Sequence, residues 1–107
     1  MLLLNAFSFN MVSDFPMTVD AEEISIEKVR CILSEEGVES AVGHADTAAV
    51  FSEAIGMEVP TARRTVQLTY GDSVVVGQYS GPRLEEGCKT LPEGASIKWL
   101  LISLAGV

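Results

Sequence analysis

The chain has 107 residues, of which 48% are hydrophobic, and a formal net charge of −8. This length supports one modest hydrophobic core, so we expect residues 1–107 to form a single domain. The charge excludes a general DNA- or RNA-binding protein, because such proteins need many lysines and arginines along the phosphate backbone. We therefore expect no binding of long nucleic acid, and a nucleotide ligand must be small.

The cysteines and the first residues exclude further classes. Cys31 and Cys88 belong to no CxxC or Cys/His spacing, so we expect free thiols in a reducing compartment, no metal site and no cofactor. The opening stretch MLLLNAFSF lacks a basic segment and is interrupted by Asn5, which argues against a signal peptide and a membrane span. We expect a cytoplasmic protein without membrane contact.

The first half of the chain alternates strand and helix signals. The apolar run Leu2–Leu4 is typical of a central strand, and a polar-aromatic loop, NAFSFN, follows it. Alternation over residues 17–24 predicts an acidic edge strand. Ser25 is a predicted helix cap, and apolar residues recur at helical spacing over residues 26–36 before Gly37.

A second helix is predicted from about His44 to Ile55, and Gly56 ends it. His44 is the one histidine of the chain, and it lies on the apolar stripe of this helix, four residues before Ala48. On such a stripe a histidine is commonly a hydrogen-bonded packing residue. In a first turn, however, free N–H groups and the helix dipole favour an anion, and Gly43 lets a ligand approach the backbone.

After Pro60 the apolar residues have period two. Residues 63–70 and residues 73–78 read as the two strands of a β-hairpin around a Gly71-Asp72 turn. Two loops, GPRLEEG and LPEGAS, precede a final apolar strand over residues 97–104. The whole pattern predicts an α/β fold, with a mixed sheet of about five strands and two principal helices packed on it.

The loop sequence RLEEG places Arg83, Glu85 and Glu86 directly after a buried strand. In α/β proteins this is a common location for functional groups. The bare pattern is more typical of a surface turn with local ion pairs. The polar residues of NAFSFN have a comparable alternative, since asparagine and serine satisfy turn backbone.

Three stretches together carry more information than any one of them. NAFSFNMV, SAVGHADTA and RLEEG, in this order and at these separations, resemble the viral-type ring nucleases of type III CRISPR defence. These are small anti-CRISPR proteins, with related cellular enzymes, that degrade cyclic tetra-adenylate. The resemblance extends from Leu3 to about Lys89 and includes the arginine shortly after Pro60.

The resemblance implies a homodimer that encloses cyclic tetra-adenylate and cuts it without metal into linear dinucleotides. It implies that His44 is the catalytic histidine and that Glu86 is a catalytic or positioning carboxylate. Arg63, chosen over Arg64 by counting from His44, and Arg83 would hold phosphates or ribose. Three further polar residues would line the nucleotide site: Asn5, Ser8 and Asn10.

Metal-free RNA cleavage agrees with these residue types. The ribose 2′-hydroxyl attacks phosphorus, and the enzyme supplies charge stabilisation and an acid for the leaving 5′-oxygen. Histidine titrates near neutral pH and suits the second task, while arginine suits the first. The main alternative is a non-catalytic protein of the same fold that binds a cyclic nucleotide or a protein partner. A third interpretation is a dimerisation module with intersubunit ion pairs in RLEEG.

Overall fold

The computed structural model describes residues 1–106, and it contains one five-stranded sheet and two helices. The strands are β1 (Leu2–Leu4), β2 (Met17–Ile24), β3 (Glu39–Ser40), β4 (Ser73–Ser80) and β5 (Ser96–Gly106). The helices are α1 (Ile26–Glu36) and α2 (Ala45–Ile55), and a single 3-10 turn covers Phe9–Met11. The predicted α/β fold with a mixed sheet and two principal helices is confirmed.

The sheet has the order β2-β5-β4-β1-β3. β1 runs parallel to both of its neighbours, β3 and β4. β5 runs antiparallel to β4 and to β2, and β2 is an edge strand, as predicted. Three strands of one half of the sheet therefore end at the same edge, and this edge carries the candidate site described below.

The capping residues predicted from the sequence lie at the ends of both helices. Ser25 accepts a hydrogen bond from the backbone N–H of Lys28 at 3.1 Å, which satisfies a free donor of the first turn of α1. Gly56 ends α2 in the left-handed conformation at φ 77°. The Arg30 guanidinium of α1 joins the two helices, because its Nε donates to the carbonyl of Ile55 at 3.0 Å. A cation at the negative end of a helix is electrostatically favourable.

The sheet separates two hydrophobic clusters, one on each face. In β1, Leu3 belongs to the cluster under the helices and Leu4 to the cluster on the opposite face, as strand alternation requires. Phe51 of α2 and Trp99 of β5 lie in the helix-side cluster with ring centroids 5.1 Å apart. Gly77 of β4 faces them closely, since a Cβ at this position would lie 2.6 Å from an atom of each ring.

The predicted hairpin between residues 63–70 and β4 is wrong. β4 is paired on one side with β1 and on the other with β5, so neither of its sides is free for another strand. Residues 61–70 belong to no strand and make one isolated bridge, between Leu68 and Val12. Leu68 is buried, and Val66 packs against the cluster on the helix-free face. The period of two therefore reflects one-sided burial on the sheet surface.

Within the described residues, α1 and α2 are each 11 residues long. No helix of this part of the chain has the length and apolar character needed to cross a membrane.

Candidate functional site

The carboxyl ends of β1, β3 and β4 bring the three sequence motifs together. Asn5 follows β1 directly, the SAVGHADTA stretch begins at the last residue of β3, and RLEEG follows β4. Because these strands are parallel, the segments that leave them start at one edge of the sheet. In α/β sheets ligands bind at this edge.

His44, the predicted start of the second helix, is the N-cap of α2, one residue before the observed start at Ala45. Its backbone is extended, with φ −120° and ψ 129°, and its side chain makes no capping hydrogen bond. The imidazole is exposed, whereas Ala48, Phe51 and Ile55 are buried. The placement of His44 on the apolar stripe is therefore wrong: the chain has not yet entered the helix at this residue, so the side chain leaves the buried face.

Arg63 is brought to His44 by the return of the chain after α2. The Ser40 hydroxyl donates to the carbonyl of Pro60 at 2.6 Å, and the N–H of Ala62 donates to the carbonyl of Val42 at 2.8 Å. The next residue, Arg63, then donates from Nε to the carbonyl of Gly43 at 3.3 Å. A Cβ on Gly43 would lie 3.1 Å from Cγ of Arg63, so the glycine permits this close approach.

A first cavity, of about 490 Å³, lies between these segments. It is lined by the polar end of β1, the β3–α2 connection and the segment after Pro60. Its residues are Asn5, Ala41, Gly43, His44, Arg63, Arg64 and Thr65. Four residues proposed from the sequence therefore share one cavity: Asn5, Gly43, His44 and Arg63.

A second cavity, of about 510 Å³, shares His44 and no other lining residue with the first. It is formed by the first turn of α2 and by the end of β4 with the residues that follow. Its residues are His44, Asp46, Thr47, Tyr79, Gly81, Arg83 and Leu84. His44 thus lines both a cavity that contains Arg63 and a cavity that contains Arg83.

The remaining sequence-proposed residues lie elsewhere. Glu86 lines a third cavity, together with Arg83, Glu85 and Cys88, and it lines neither cavity of His44. Ser8 accepts a hydrogen bond from the N–H of Asn10 at 3.2 Å and so caps the 3-10 turn. Neither Ser8 nor Asn10 lines a cavity that contains His44. In this structure the two serve the turn itself.

The two neighbouring arginines have different partners. Arg64 forms an ion pair with Glu39 at 3.6 Å, and both side chains are exposed. Arg63 has no carboxylate partner within residues 1–106 and keeps its charge available to a ligand. Such an exposed pair contributes about 0–1 kcal/mol, so a phosphate could displace Glu39 from Arg64 as well.

Asp46 and Tyr79 are among the residues of the second cavity that the sequence did not identify. Asp46 lies two positions after His44, and Tyr79 lies near the end of β4 with its hydroxyl bonded to the carbonyl of Pro82. Asp46 had a weak local signal, as an acid in a first helical turn. Tyr79 had none, because a half-buried aromatic residue in a strand is ordinary. No group of three or more His, Cys, Asp or Glu residues in the described chain could hold a metal ion.

The fold and the site define a small α/β protein with an open, arginine-flanked cleft at the carboxyl edge of three parallel strands. Residues 1–95 match the family model described as STIV B116-like, so the chain belongs to this family. Among solved structures it is similar to B116 of Sulfolobus turreted icosahedral virus, at 28% sequence identity and a TM-score of 0.78. This match covers 95% of the present chain and 97% of the viral protein. No curated protein sequence matches the chain.

Proposed function

We propose that this protein binds cyclic tetra-adenylate and cleaves it, without a metal ion, into linear dinucleotides, and thereby terminates type III CRISPR signalling. The observation that carries the proposal is the position of His44. His44 is the N-cap residue of α2, and its exposed imidazole lines two cavities, one with Arg63 and Arg64 and the other with Arg83. This supports phosphodiester cleavage, because the acid for the leaving group lines the same cavities as groups that bind phosphate.

In the proposed reaction the ribose 2′-oxygen forms a bond to the adjacent phosphorus, and the bond from phosphorus to the 5′-oxygen breaks. The 2′-hydroxyl proton passes to solvent, and the His44 imidazolium donates a proton to the departing 5′-oxygen. The products are a 2′,3′-cyclic phosphate and a 5′-hydroxyl end. A general acid of this kind contributes about 10²–10⁴-fold to the rate.

Arg63 and Arg83 bind the phosphates on either side of the scissile bond in this proposal. The backbone N–H groups at the start of α2 add further donors, and the positive end of the helix dipole favours the same charge. The protein carries a net charge of −8, so long nucleic acid is repelled while a small ring meets the local positive groups. In this proposal Glu86 contacts the part of the ligand that extends past Arg83 into the third cavity.

The active form in this proposal is a homodimer. A ring of four nucleotides is larger than either open cavity of about 500 Å³ beside His44 can enclose, and two equal subunits match its symmetry. Light scattering should give about twice the chain mass of 11.5 kDa. A monomer at micromolar concentration, both with and without the ring, would contradict this part.

The direct test is chromatographic separation of cyclic tetra-adenylate after incubation with the protein in excess EDTA. We expect linear dinucleotides from the unchanged protein, at least 10²-fold slower release from His44→Ala, and no change in Glu53→Ala. Glu53 is an exposed acid of the same helix and lines neither cavity. Cleavage that EDTA abolishes and magnesium restores would show that a metal ion is required.

The second candidate is a non-catalytic binding protein, favoured by the position of Glu86 outside the cavities of His44. This alternative predicts a ligand-dependent rise in melting temperature without any product. A protein that shows neither product nor a thermal shift contradicts both.

A further inference from the structure

Residues 81–95 connect β4 to β5 and carry Arg83 past the start of α2. The segment is closed at its base, where a Cβ on Gly81 would lie 2.6 Å from Cβ of Ala95. Near its start the hydroxyl of Tyr79 donates to the carbonyl of Pro82. The pairing of Ser80 with Ser96 in the β4–β5 ladder holds the two ends of the segment together, but it does not determine how the middle lies against α2.

One hydrogen bond attaches the middle of the segment to α2. The backbone N–H of Gly87 donates to Oδ1 of Asp46 at 3.2 Å, across 41 residues of sequence. Within residues 1–106 no other hydrogen bond joins residues 81–95 to α2. Asp46 also lines the second cavity, together with His44 and Arg83.

The chemistry of Asp46 is unexpected for a cavity that takes an anion. A carboxylate next to a phosphate raises the energy of the complex by repulsion. Hydrogen bonding to a backbone N–H engages one carboxylate oxygen. The helix itself gains from an acid in its first turn, but this gain does not require a bond to a distant loop.

We propose that Asp46 is a positioning residue, which holds Gly87 against the first turn of α2 and so keeps Arg83 in the cavity of His44. The attachment of the loop is a property of the free protein. Its consequence for catalysis rests on the proposed function. The substrate-independent and the substrate-dependent parts are therefore tested separately.

The first experiment measures loop attachment without any ligand. Cys88 follows Gly87, is half-buried and donates to the carbonyl of Thr90 at 3.1 Å, whereas Cys31 is exposed on α1. Iodoacetamide labelling of each thiol is followed by peptide mass spectrometry, and the rate at Cys88 is divided by the rate at Cys31. In Asp46→Ala this ratio should rise about five-fold, the factor expected for the loss of one ordinary hydrogen bond.

Two variants separate attachment from charge and from global unfolding. Asp46→Asn retains a carbonyl oxygen for Gly87, so its labelling ratio should stay within about two-fold of the unchanged protein. Glu53→Ala removes an acid of α2 with no bond to the segment and should behave in the same way. Melting curves on the same samples confirm that each variant is folded at the labelling temperature. An unchanged ratio in Asp46→Ala, or an equal rise in Asp46→Asn, would overturn the attachment.

The second experiment measures cleavage of cyclic tetra-adenylate by the same variants. Asp46→Ala should raise KM at least about five-fold, because Arg83 leaves the cavity, and Asp46→Asn should restore KM. If Cys88 becomes reactive while KM and kcat stay unchanged, Asp46 holds the loop but does not position Arg83, and the proposal fails. If the unchanged protein cleaves nothing, the proposed function fails and with it the catalytic role of Asp46, while the labelling ratio still decides the attachment.

Discussion

Replacement of His44 by asparagine should change stability and activity in opposite directions. His44 has the extended backbone of an N-cap, but its side chain makes no capping hydrogen bond. The N-cap of α1 has the hydrogen bond that α2 lacks, since the Ser25 hydroxyl oxygen accepts a hydrogen bond from the Lys28 N–H at 3.1 Å. Asparagine is among the best N-cap residues and offers an acceptor to the free N–H groups of the first turn.

The expected gain in stability of the His44→Asn variant follows from the exposure of His44. The imidazole is exposed and makes no capping hydrogen bond, so its removal costs little stability. A new cap contributes about 0.5–1 kcal/mol to the free energy of unfolding, which raises the melting temperature of a domain of this size by about 2–8 °C. Cleavage should fall about 10²–10⁴-fold, because asparagine supplies no proton.

The assay combines a thermal melt with single-turnover cleavage on one preparation, and His44→Ala serves as the comparison. Alanine should leave the melting temperature within about 3 °C of the unchanged protein, since exposed positions without partners contribute within about 0.5 kcal/mol. A clear loss of stability in both variants would mean that His44 packs in the folded protein. A stabilised His44→Asn protein that cleaves at the unchanged rate would refute its role as the acid.

Three further outcomes are expected. Gly77→Ala should lower the free energy of unfolding by about 1–3 kcal/mol in denaturant titration, because the new methyl group overlaps both core rings; an unchanged midpoint would mean that the rings shift freely. Arg83→Ala should weaken binding of the ring about ten-fold or more in calorimetry, as the loss of a charge-assisted contact implies, whereas Lys89→Ala in the same loop should not, and equal losses would indicate a general charge effect. Glu86→Gln should slow cleavage more than Glu85→Gln, and equal rates in the two variants would remove Glu86 from the proposed mechanism.

Much of the fold is encoded in local patterns that sequence reasoning can use. The bounds of α1 follow from Ser25, Gly37 and the apolar spacing between them, and the observed helix covers the predicted residues. β3 was missed because it has two residues, Glu39–Ser40, which is too short for any period to be visible. It exists because β1 offers a free side to which Glu39 and Ser40 bind in parallel register.

The strand predicted over residues 63–70 was wrong for a different reason. Alternation tells which side chains are buried, but it does not tell what buries them. Val66 and Leu68 alternate because they lie on a sheet whose strands are already paired. Only the strand order reveals this, and strand order depends on contacts between distant parts of the chain.

The candidate site was predictable in its parts and not in its arrangement. His44, Arg63 and Asn5 stand far apart in sequence, yet they line one cavity because β1 and β3 are parallel neighbours. No local pattern places Glu86 in a separate cavity from His44. The hydrogen bond between Gly87 and Asp46 joins residues 41 positions apart in the sequence. An acid in the first turn of a helix is a local feature, and it does not predict such a distant partner.

The outer strand of the sheet bears on how the protein behaves at high concentration. β2 has eight residues and pairs on one side with β5, so its other side offers backbone groups that could template aggregation. Its exposed side chains include Asp20, Glu22 and Glu23, and the strand contains no lysine or arginine. When two copies approach through this edge, like charges meet across the new ladder and oppose it. The acidity of β2 therefore protects this edge from fibril growth, at the end of the sheet farthest from the cleft.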